Sequence, residues 1–132
     1  MKEAFKKNEK LCSRTIIDRL FQRGSRYSNT FYLFPFRVFY SFDSTTPPDF
    51  PQLLFSVPKR QFKRAVARNK IKRRCREAYR TNKQPLIEIA PSNRPSYIAF
   101  LYIAKEIADY NVIEKSMIRC IERLSGETKT ED

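Results

Sequence analysis

A strongly cationic segment lies in the middle of the chain. Residues 59–83 contain twelve lysines and arginines and one acid, Glu77, for a formal charge of +11, while the whole chain of 132 residues carries +13. The planar guanidinium of arginine can hold two oxygens of one phosphate, and lysine supplies a compact charge. The segment therefore predicts binding to a polyanion, with nucleic acid as the first candidate and an anionic membrane surface as the second.

The spacing of these residues predicts a two-sided helix, at about 100° per residue counted from Arg64. One side carries Ala67, Ile71, Cys75 and Ala78, with Tyr79 at its margin, and can pack on a sheet. The opposite side carries Asn69, Arg73, Arg76 and Arg80, with Val66 among them, and Arg68 and Lys72 lie at the flank. Like charges at these spacings repel each other, so a face that is merely solvated is expected to alternate charges. The near-exclusion of acids, 13 of which occur elsewhere, favours phosphate binding.

The kind of nucleic acid follows from the geometry of this helix. The narrow major groove of A-form RNA does not readily admit a helix, so the expected target is the backbone of a folded RNA, recognised by its shape. Asn69 adds a neutral donor and acceptor suited to a sugar, a base edge or a backbone group.

Several kinds of catalytic chemistry are disfavoured by composition. The chain has no histidine, which removes histidine-dependent acid–base and triad chemistry. Its three cysteines, Cys12, Cys75 and Cys120, form no CxxC pair, so we expect reduced, buried or half-buried thiols rather than disulfides or zinc. The available acids are scattered and do not predict a two-metal nuclease site: Asp18, Asp43, Asp49, Glu88, Glu106 and Asp109.

The totals predict one folded domain over residues 1–132, with about 10–124 folded and the two ends, 1–9 and 125–132, flexible. A hydrophobic content of 41% is too high for a disordered basic tail. No apolar run approaches the roughly 18 residues of a spanning helix, and MKEAFKKNEKLCSRT lacks the apolar centre of a secretory signal. We therefore expect a cytoplasmic protein, and we rank a membrane-surface role last.

Hydrophobic patterns, together with the positions of glycine and proline, predict the order helix, strand, strand, helix, strand, helix. The first helix starts near Ser13 with Ile16, Ile17, Leu20 and Phe21 on one side, and the last follows Asp109, with Tyr110, Ile113, Met117, Ile118, Ile121 and Leu124 as its stripe. Gly24 and Gly126 are predicted to cap these helices at their C-terminal ends. Strands are predicted at 30–42, 52–57 and 96–104, with a short extra strand near 26–28. The basic helix then forms a βαβ crossover in an α+β sandwich.

The aromatic stretch TFYLFPFRVFYSF, residues 30–42, leaves two readings open. Alternation places Phe31, Leu33, Pro35, Arg37 and Phe39 on one side, and Tyr32, Phe34, Phe36, Val38 and Tyr40 on the other. Core packing is the ordinary role of each ring, and stacking on nucleic-acid bases is the alternative. Pro35 cannot donate to a ladder, so it predicts a sheet edge or a bulge. Because the register can slip there, whether Phe31 and Phe34 share a face stays open.

The basic helix also resembles a known family. RNKIKRRCRE, residues 68–77, resembles the signature RNxxKRxxRE of the protein subunit of bacterial ribonuclease P, with matches at Arg68, Asn69, Lys72, Arg73, Arg76 and Glu77. FSVPKR at 55–60, and LFQRG followed by an aromatic strand, are similar to the family's preceding elements. The resemblance covers about residues 10–124.

This resemblance implies both a fold and a division of labour. The fold is an α+β two-layer sandwich of αβββαβα-like order with a left-handed βαβ crossover, like the second domain of ribosomal protein S5, contrary to the usual handedness. A catalytic RNA, with Mg²⁺ held mainly by that RNA and none by the protein alone, removes the 5′ leader of precursor tRNA. The protein subunit is non-catalytic and needs no protein partner.

The resemblance also assigns residues to two sites. The RNA-binding residues are Lys59, Arg60, Arg64, Arg68, Asn69, Lys72, Arg73, Arg76 and Arg80. The cleft for the single-stranded leader is lined by Ile17, Phe21, Phe31 and Phe34, with Arg19 and Arg60 as phosphate contacts.

Two departures from the family pattern affect these assignments. The position of Ile17 is commonly aromatic in the family, so plain apolar contact is expected there in place of base stacking. The lead-in QFKR, residues 61–64, replaces a glycine-containing turn and is one residue longer. The alternative function is a generic RNA-binding or ribosome-associated protein without a role in cleavage, which predicts a basic helix but not an aromatic cleft.

Overall fold

The computed structural model describes residues 9–22, 28–43 and 45–126. The elements in chain order are α1 (Arg14–Phe21), β1 (Asn29–Leu33), β2 (Phe36–Ser41), β3 (Gln52–Ser56), α2 (Ala65–Asn82), α3 (Gln84–Ile87), a 3₁₀ turn (Pro91–Asn93), β4 (Tyr97–Tyr102) and α4 (Tyr110–Gly126). The predicted αβββαβα order is confirmed, with the single-turn α3 added after α2.

The four strands form one mixed sheet in the order β1-β2-β4-β3. β2 runs antiparallel to both β1 and β4, while β3 runs parallel to β4. A parallel pair needs a crossover connection, and α2 with α3 lies in that connection. The predicted α+β class and βαβ unit are therefore confirmed, and the left-handed sense of the crossover stays a prediction.

The main core lies between one face of the sheet and the pair α2 and α4. Strand residues whose side chains share this face include Phe36, Val38, Ile98 and Phe100. They pack with apolar side chains of both helices: Ile71, Cys75, Ala78, Tyr79, Ile113, Met117, Cys120, Ile121 and Leu124. This sheet-and-helix pair is the predicted two-layer sandwich, and it fixes which side of α2 is buried.

The first helix packs on the opposite face of the sheet. Its N-cap is Ser13, whose hydroxyl accepts a hydrogen bond from the Ile16 amide at 3.4 Å, so the predicted start of this helix near Ser13 is confirmed. Leu20 is buried in a smaller cluster with Leu11, Phe39 and Ala99, and Ile16, Ile17 and Phe21 pack partly against that cluster. α1 therefore covers part of the opposite face, as an addition to the two-layer sandwich that the sheet forms with α2 and α4.

The aromatic stretch is a hairpin, so the prediction of one strand over 30–42 is wrong. Leu33 pairs with Phe36, and Phe34 and Pro35 form the turn between β1 and β2. Proline cannot donate to a ladder, and here the chain reverses at that point. Because this stretch forms two strands, β1 and β2, three strands precede α2, as the αβββαβα order requires. Ser28 is not in a strand, and the other two residues of the predicted strand at 26–28, like Gly24, lie outside the described residues.

Smaller differences occur at the ends of elements. Ile118 is exposed, while Ser116 and Cys120 are buried in its place on α4. Gly126 is the last helical residue and does not take the left-handed conformation of a C-cap, so that prediction is wrong. Glu9, assigned to a flexible end, is buried. Cys75 and Cys120 are buried thiols as predicted, but Cys12 is exposed.

Candidate RNA-binding surfaces

The basic helix α2 is two-sided, as its spacing predicts. Ile71, Cys75 and Ala78 are buried, and Tyr79, expected at the margin, is fully buried as well. Asn69 and Arg73 are exposed on the other side. Arg76 and Arg80 are half-buried there, and Val66 at the start of the helix is 80% exposed. The packing of the inner side on the sheet thus orients the cations outward; we call this outward side the α2 face.

The cations of the α2 face differ in their partners. Arg80 donates from Nε to Oε2 of Glu77 at 3.0 Å and from Nη2 to Oε1 at 2.5 Å, a bidentate pair within one turn. The hydrogen bonds that Arg80 donates to the Glu77 carboxylate raise the pKa of Arg80. Neither Arg73 nor Arg76 joins an ion pair in the part of the chain that the structure describes. The expectation of an acid-free face is therefore wrong at Arg80 and holds at Arg73 and Arg76.

Two other arginines of α2 donate hydrogen bonds to backbone carbonyl oxygens. Nη1 of Arg68 donates to the carbonyl oxygens of Phe62 at 2.7 Å and Lys63 at 2.8 Å. Nη1 of Arg74 donates to the carbonyl oxygen of Ala108 at 2.6 Å, in the loop before α4. Arg68 therefore fixes the lead-in to the helix that carries the cations, in addition to any contact with RNA.

The whole segment from Pro58 to the start of α2, residues 58–64, contains QFKR and is called the lead-in from here on. Its cations are exposed around one buried ring. The carbonyl oxygen of Pro58 accepts hydrogen bonds from the amides of Gln61 at 3.2 Å and Phe62 at 3.0 Å. Phe62 is buried, and its ring centroid lies 5.8 Å from that of Tyr102. The cations Lys59, Arg60, Lys63 and Arg64 are exposed. The longer lead-in is thus a turn anchored by Phe62, a role that the sequence analysis did not assign.

The start of α2 adds polar groups to the same surface. Arg64 is the N-cap residue and makes no side-chain cap hydrogen bond. The first amides of a helix lack intrahelical acceptors and favour anions, and here they adjoin exposed cations. Lys83, counted with the basic segment in the sequence, is buried and lies apart from this surface. The cations available to a phosphate chain thus extend from Lys59 to Arg76.

A second patch lies on the opposite face of the sheet, beside α1. The Arg37 guanidinium carbon lies 5.0 Å from the ring centroid of Tyr32 and 4.9 Å from that of Phe39. Nε of Arg37 donates to Oγ1 of Thr30 at 3.4 Å, and the ring of Phe21 meets Phe39 edge-on at 4.9 Å. Tyr32 is 59% exposed. We call these five residues the hairpin patch; it combines a held guanidinium with an accessible ring.

The structure brings together only part of the predicted cleft. Ile17 and Phe21 lie in the α1 cluster, and Arg19 is exposed on the same helix, where it lines an open depression with Thr15, Asp18, Phe21 and Gln22. Phe34, in the hairpin turn, is 68% exposed.

Phe31 does not belong to this group. It pairs with Val38 on the sheet face that packs against α4, and the Arg123 guanidinium lies 4.4 Å from its ring centroid. Its prediction as a cleft residue is wrong because the hairpin register turns it toward the main core.

Sequence reasoning missed Tyr32, Arg37 and Phe39 as members of one patch. The one-strand reading placed Tyr32 on the side opposite Arg37, whereas the hairpin pairs Tyr32 directly with Arg37 and Thr30 with Phe39. Treating Pro35 as a turn residue would have given this pairing, since cross-strand partners share a face.

The described residues also constrain other kinds of site. Within residues 9–22, 28–43 and 45–126, no three histidine, cysteine or acidic side chains come close enough to hold a metal ion. No helix in those ranges has the length and apolarity needed to cross a membrane. Burial raises the pKa of both Cys75 and Cys120 to about 12, which keeps these thiols protonated at neutral pH.

An α+β domain with a cationic helix on one side and a cationic, aromatic patch on the other defines a protein of the RNA-binding class. The family model described as Ribonuclease P matches residues 5–125. The ribonuclease P protein component of Porphyromonas gingivalis is 36% identical over 122 residues, covering 91% of this chain and 85% of the relative. That of Chlorobaculum tepidum is 35% identical over 98 residues, covering 70% and 62%. The chain belongs to the ribonuclease P protein family.

A solved structure supports the fold independently. The ribonuclease P protein of Staphylococcus aureus superposes with a TM-score of 0.65 at 20% identity, covering 89% of this chain and 98% of that one.

Proposed function

We propose that this protein is the protein cofactor of a cytoplasmic ribonuclease P ribonucleoprotein, in which it binds the catalytic RNA and the 5′ leader of precursor tRNA. The observation that carries the proposal is the α2 face, where Arg73 and Arg76 project from a helix whose inner side is fixed in the core. Binding there promotes endonucleolytic removal of the leader and so forms the mature 5′ end of the tRNA.

The catalytic RNA is assigned to the α2 face and the lead-in. Each phosphate that a cation neutralises releases condensed counterions, which gives affinity without reading sequence. Asn69 lies among these cations and can bond a sugar or a base edge, so it adds orientation to the electrostatic contact. Cleavage is carried out by the RNA with Mg²⁺ that the RNA mainly holds, and this chain supplies binding and positioning.

The leader is assigned to the hairpin patch and the adjoining surface of α1. A base can stack on the exposed ring of Tyr32, while the Arg37 guanidinium, held in place by two rings and Thr30, meets a phosphate. Arg19 on α1 and the exposed Phe34 in the hairpin turn would extend this path beyond the hairpin patch, which already includes Phe21 of α1. Ile17 would contribute apolar contact only.

The leader assignment is tested by Tyr32→Ala, because this ring is largely exposed and its removal leaves the core intact. Each stacked base is worth about 1–3 kcal/mol, so we expect a loss of about tenfold in the affinity of the reconstituted ribonucleoprotein for precursor tRNA. Its affinity for mature tRNA, which has no leader, should not change.

The matched control is Tyr110→Phe, at a partly buried tyrosine that packs against the main core. It should leave both affinities unchanged. An equal loss for precursor and mature tRNA with Tyr32→Ala, or no loss for either, would contradict the assignment of the leader to this patch.

A further inference from the structure

A buried ion pair joins the beginning of the described chain to the far end of the basic helix. Nζ of Lys83 lies 2.8 Å from Oε1 of Glu9, and the two side chains are 4% and 1% exposed. The pair spans 74 positions of the sequence. Neither residue belongs to the α2 face or to the hairpin patch.

Lys83 of this pair lies at the connection between α2 and α3. Lys83 directly follows the last residue of α2 and precedes the first residue of α3. Its carbonyl oxygen accepts hydrogen bonds from the amides of Leu86 at 3.0 Å and Ile87 at 3.1 Å. A displacement of the Lys83 side chain would therefore act directly on the C-terminal end of α2.

The pair also holds the segment that leads into α1. Lys10 bridges in parallel to Leu53 of β3, and the amide of Leu11 donates to the Leu53 carbonyl oxygen at 2.9 Å. Leu11 is buried with Leu20 in the cluster under α1. Only Cys12 and Ser13 separate Leu11 from the first residue of α1. Residues 9–11 thus contact the α1 cluster, the edge of the sheet and the end of α2.

The charge of Glu9 also acts on a second buried polar group. Burial and then the charge of Glu9 raise the pKa of the buried Tyr79 phenol, while Arg94 acts in the opposite direction. Arg94 is itself buried and donates to the carbonyl oxygens of Ile87 at 2.9 Å and Ile89 at 3.0 Å.

We propose that Glu9 and Lys83 are positioning residues whose pairing fixes α1 relative to the α2 face. The strands of the hairpin patch are already held to α2 through the sheet and the main core, so α1, with Arg19 and Phe21, is the part of the second surface that the pair positions. Removing one partner takes the opposite charge away from a buried ionised group, and a protein relieves that cost by local displacement or exposure to water. The segment Glu9–Leu11 is the part that would move.

The consequence for RNA binding rests on the function proposed above. When one surface holds the catalytic RNA, the other meets the leader at an effective concentration set by the geometry between them. A fixed geometry keeps that concentration high, and a loose one lowers it. The pair would then contribute to the preference for precursor over mature tRNA without touching either RNA.

The positioning itself can be measured on the protein alone. Spin labels are attached to Cys12, which is exposed, and to a cysteine introduced by Val66→Cys, while the buried Cys75 and Cys120 are protected. Pulsed electron paramagnetic resonance should give one narrow distance distribution, which broadens in Glu9→Gln. The control Glu88→Gln, the same change at an exposed residue beside α3, should leave it narrow.

The functional readout uses the reconstituted ribonucleoprotein. Glu9→Gln should lower the ratio of precursor to mature affinity about fivefold, while the affinity for the catalytic RNA alone stays unchanged. If Glu9→Gln does not fold, Glu9→Asp, which retains the charge but shortens the side chain, replaces it in both measurements. If a folded Glu9→Gln protein with a lowered melting temperature gave a distance distribution as narrow as that of Glu88→Gln, the pair would stabilise the fold without positioning α1. That result would overturn the proposal. A folded variant with a broadened distribution and an unchanged affinity ratio would overturn its link to RNA binding and leave the proposed function intact.

Discussion

At the scale of single residues, the cations of the basic segment fall into distinct groups that sequence alone does not separate. Arg73 and Arg76 face outward, Arg80 is paired with Glu77, and Lys83 is buried against Glu9. Helical spacing predicts which face a residue occupies, because the period of the helix is fixed. It does not predict partners that come from distant parts of the chain, such as Glu9 or the carbonyl oxygen of Ala108.

This distinction leads to a prediction for Arg73→Glu. The substitution should weaken binding to the catalytic RNA and reduce the slope of log affinity against log salt by about one, because one phosphate contact and its released counterions are lost. The measurement is a titration of labelled RNA at several salt concentrations. Arg119→Glu, the same charge reversal at an exposed residue of α4, is the control and should leave the slope unchanged.

Arg80 provides an internal comparison at the same scale. Since its guanidinium is already bonded to Glu77, Arg80→Glu should change the salt slope less than Arg73→Glu does. Equal slopes for wild type and Arg73→Glu would contradict the role assigned to the α2 face.

At the scale of elements, the sequence predicted the helices better than the aromatic strand. Ser13 and Asp109 mark the starts of α1 and α4, since capping depends on residues within one turn. The density of aromatic residues predicts one strand over 30–42, and that composition does not show that the chain reverses at Pro35. Which face Phe31 takes depends on pairing with β2, a contact that local pattern does not encode.

The lead-in is the element on which the position of the basic surface depends most. Arg68→Ala removes both hydrogen bonds to the carbonyl oxygens of Phe62 and Lys63, which we expect to cost about 1–2 kcal/mol. Amide hydrogen exchange over residues 59–64 should accelerate, while exchange in the C-terminal half of α2 should not.

The control for this prediction is Lys70→Ala, which removes an exposed cation from the same helix. It should leave exchange in the lead-in unchanged. If Arg68→Ala and Lys70→Ala gave the same exchange pattern as the wild type, Arg68 would have no role in holding the lead-in.

At the scale of the whole molecule, the sheet separates two surfaces of different chemistry. The α2 face is cationic with little exposed apolar surface beyond Val66, whereas the hairpin patch places one guanidinium between rings. For the first surface, the sequence predicted which residues face outward, because they lie on one continuous helix, but not which of them are already bonded within the protein. It predicted the second only in part, because that surface combines α1 with two strands whose register had to be known.

The most direct measurement is cleavage of precursor tRNA by a ribonuclease P RNA at a low Mg²⁺ concentration, with and without this protein. We predict that the protein increases the rate of cleavage at the mature 5′ end, that a protein carrying both Arg73→Glu and Arg76→Glu does so far less, and that protein without RNA leaves the precursor intact. An unchanged rate with the wild-type protein, or cleavage by the protein alone, would contradict the account.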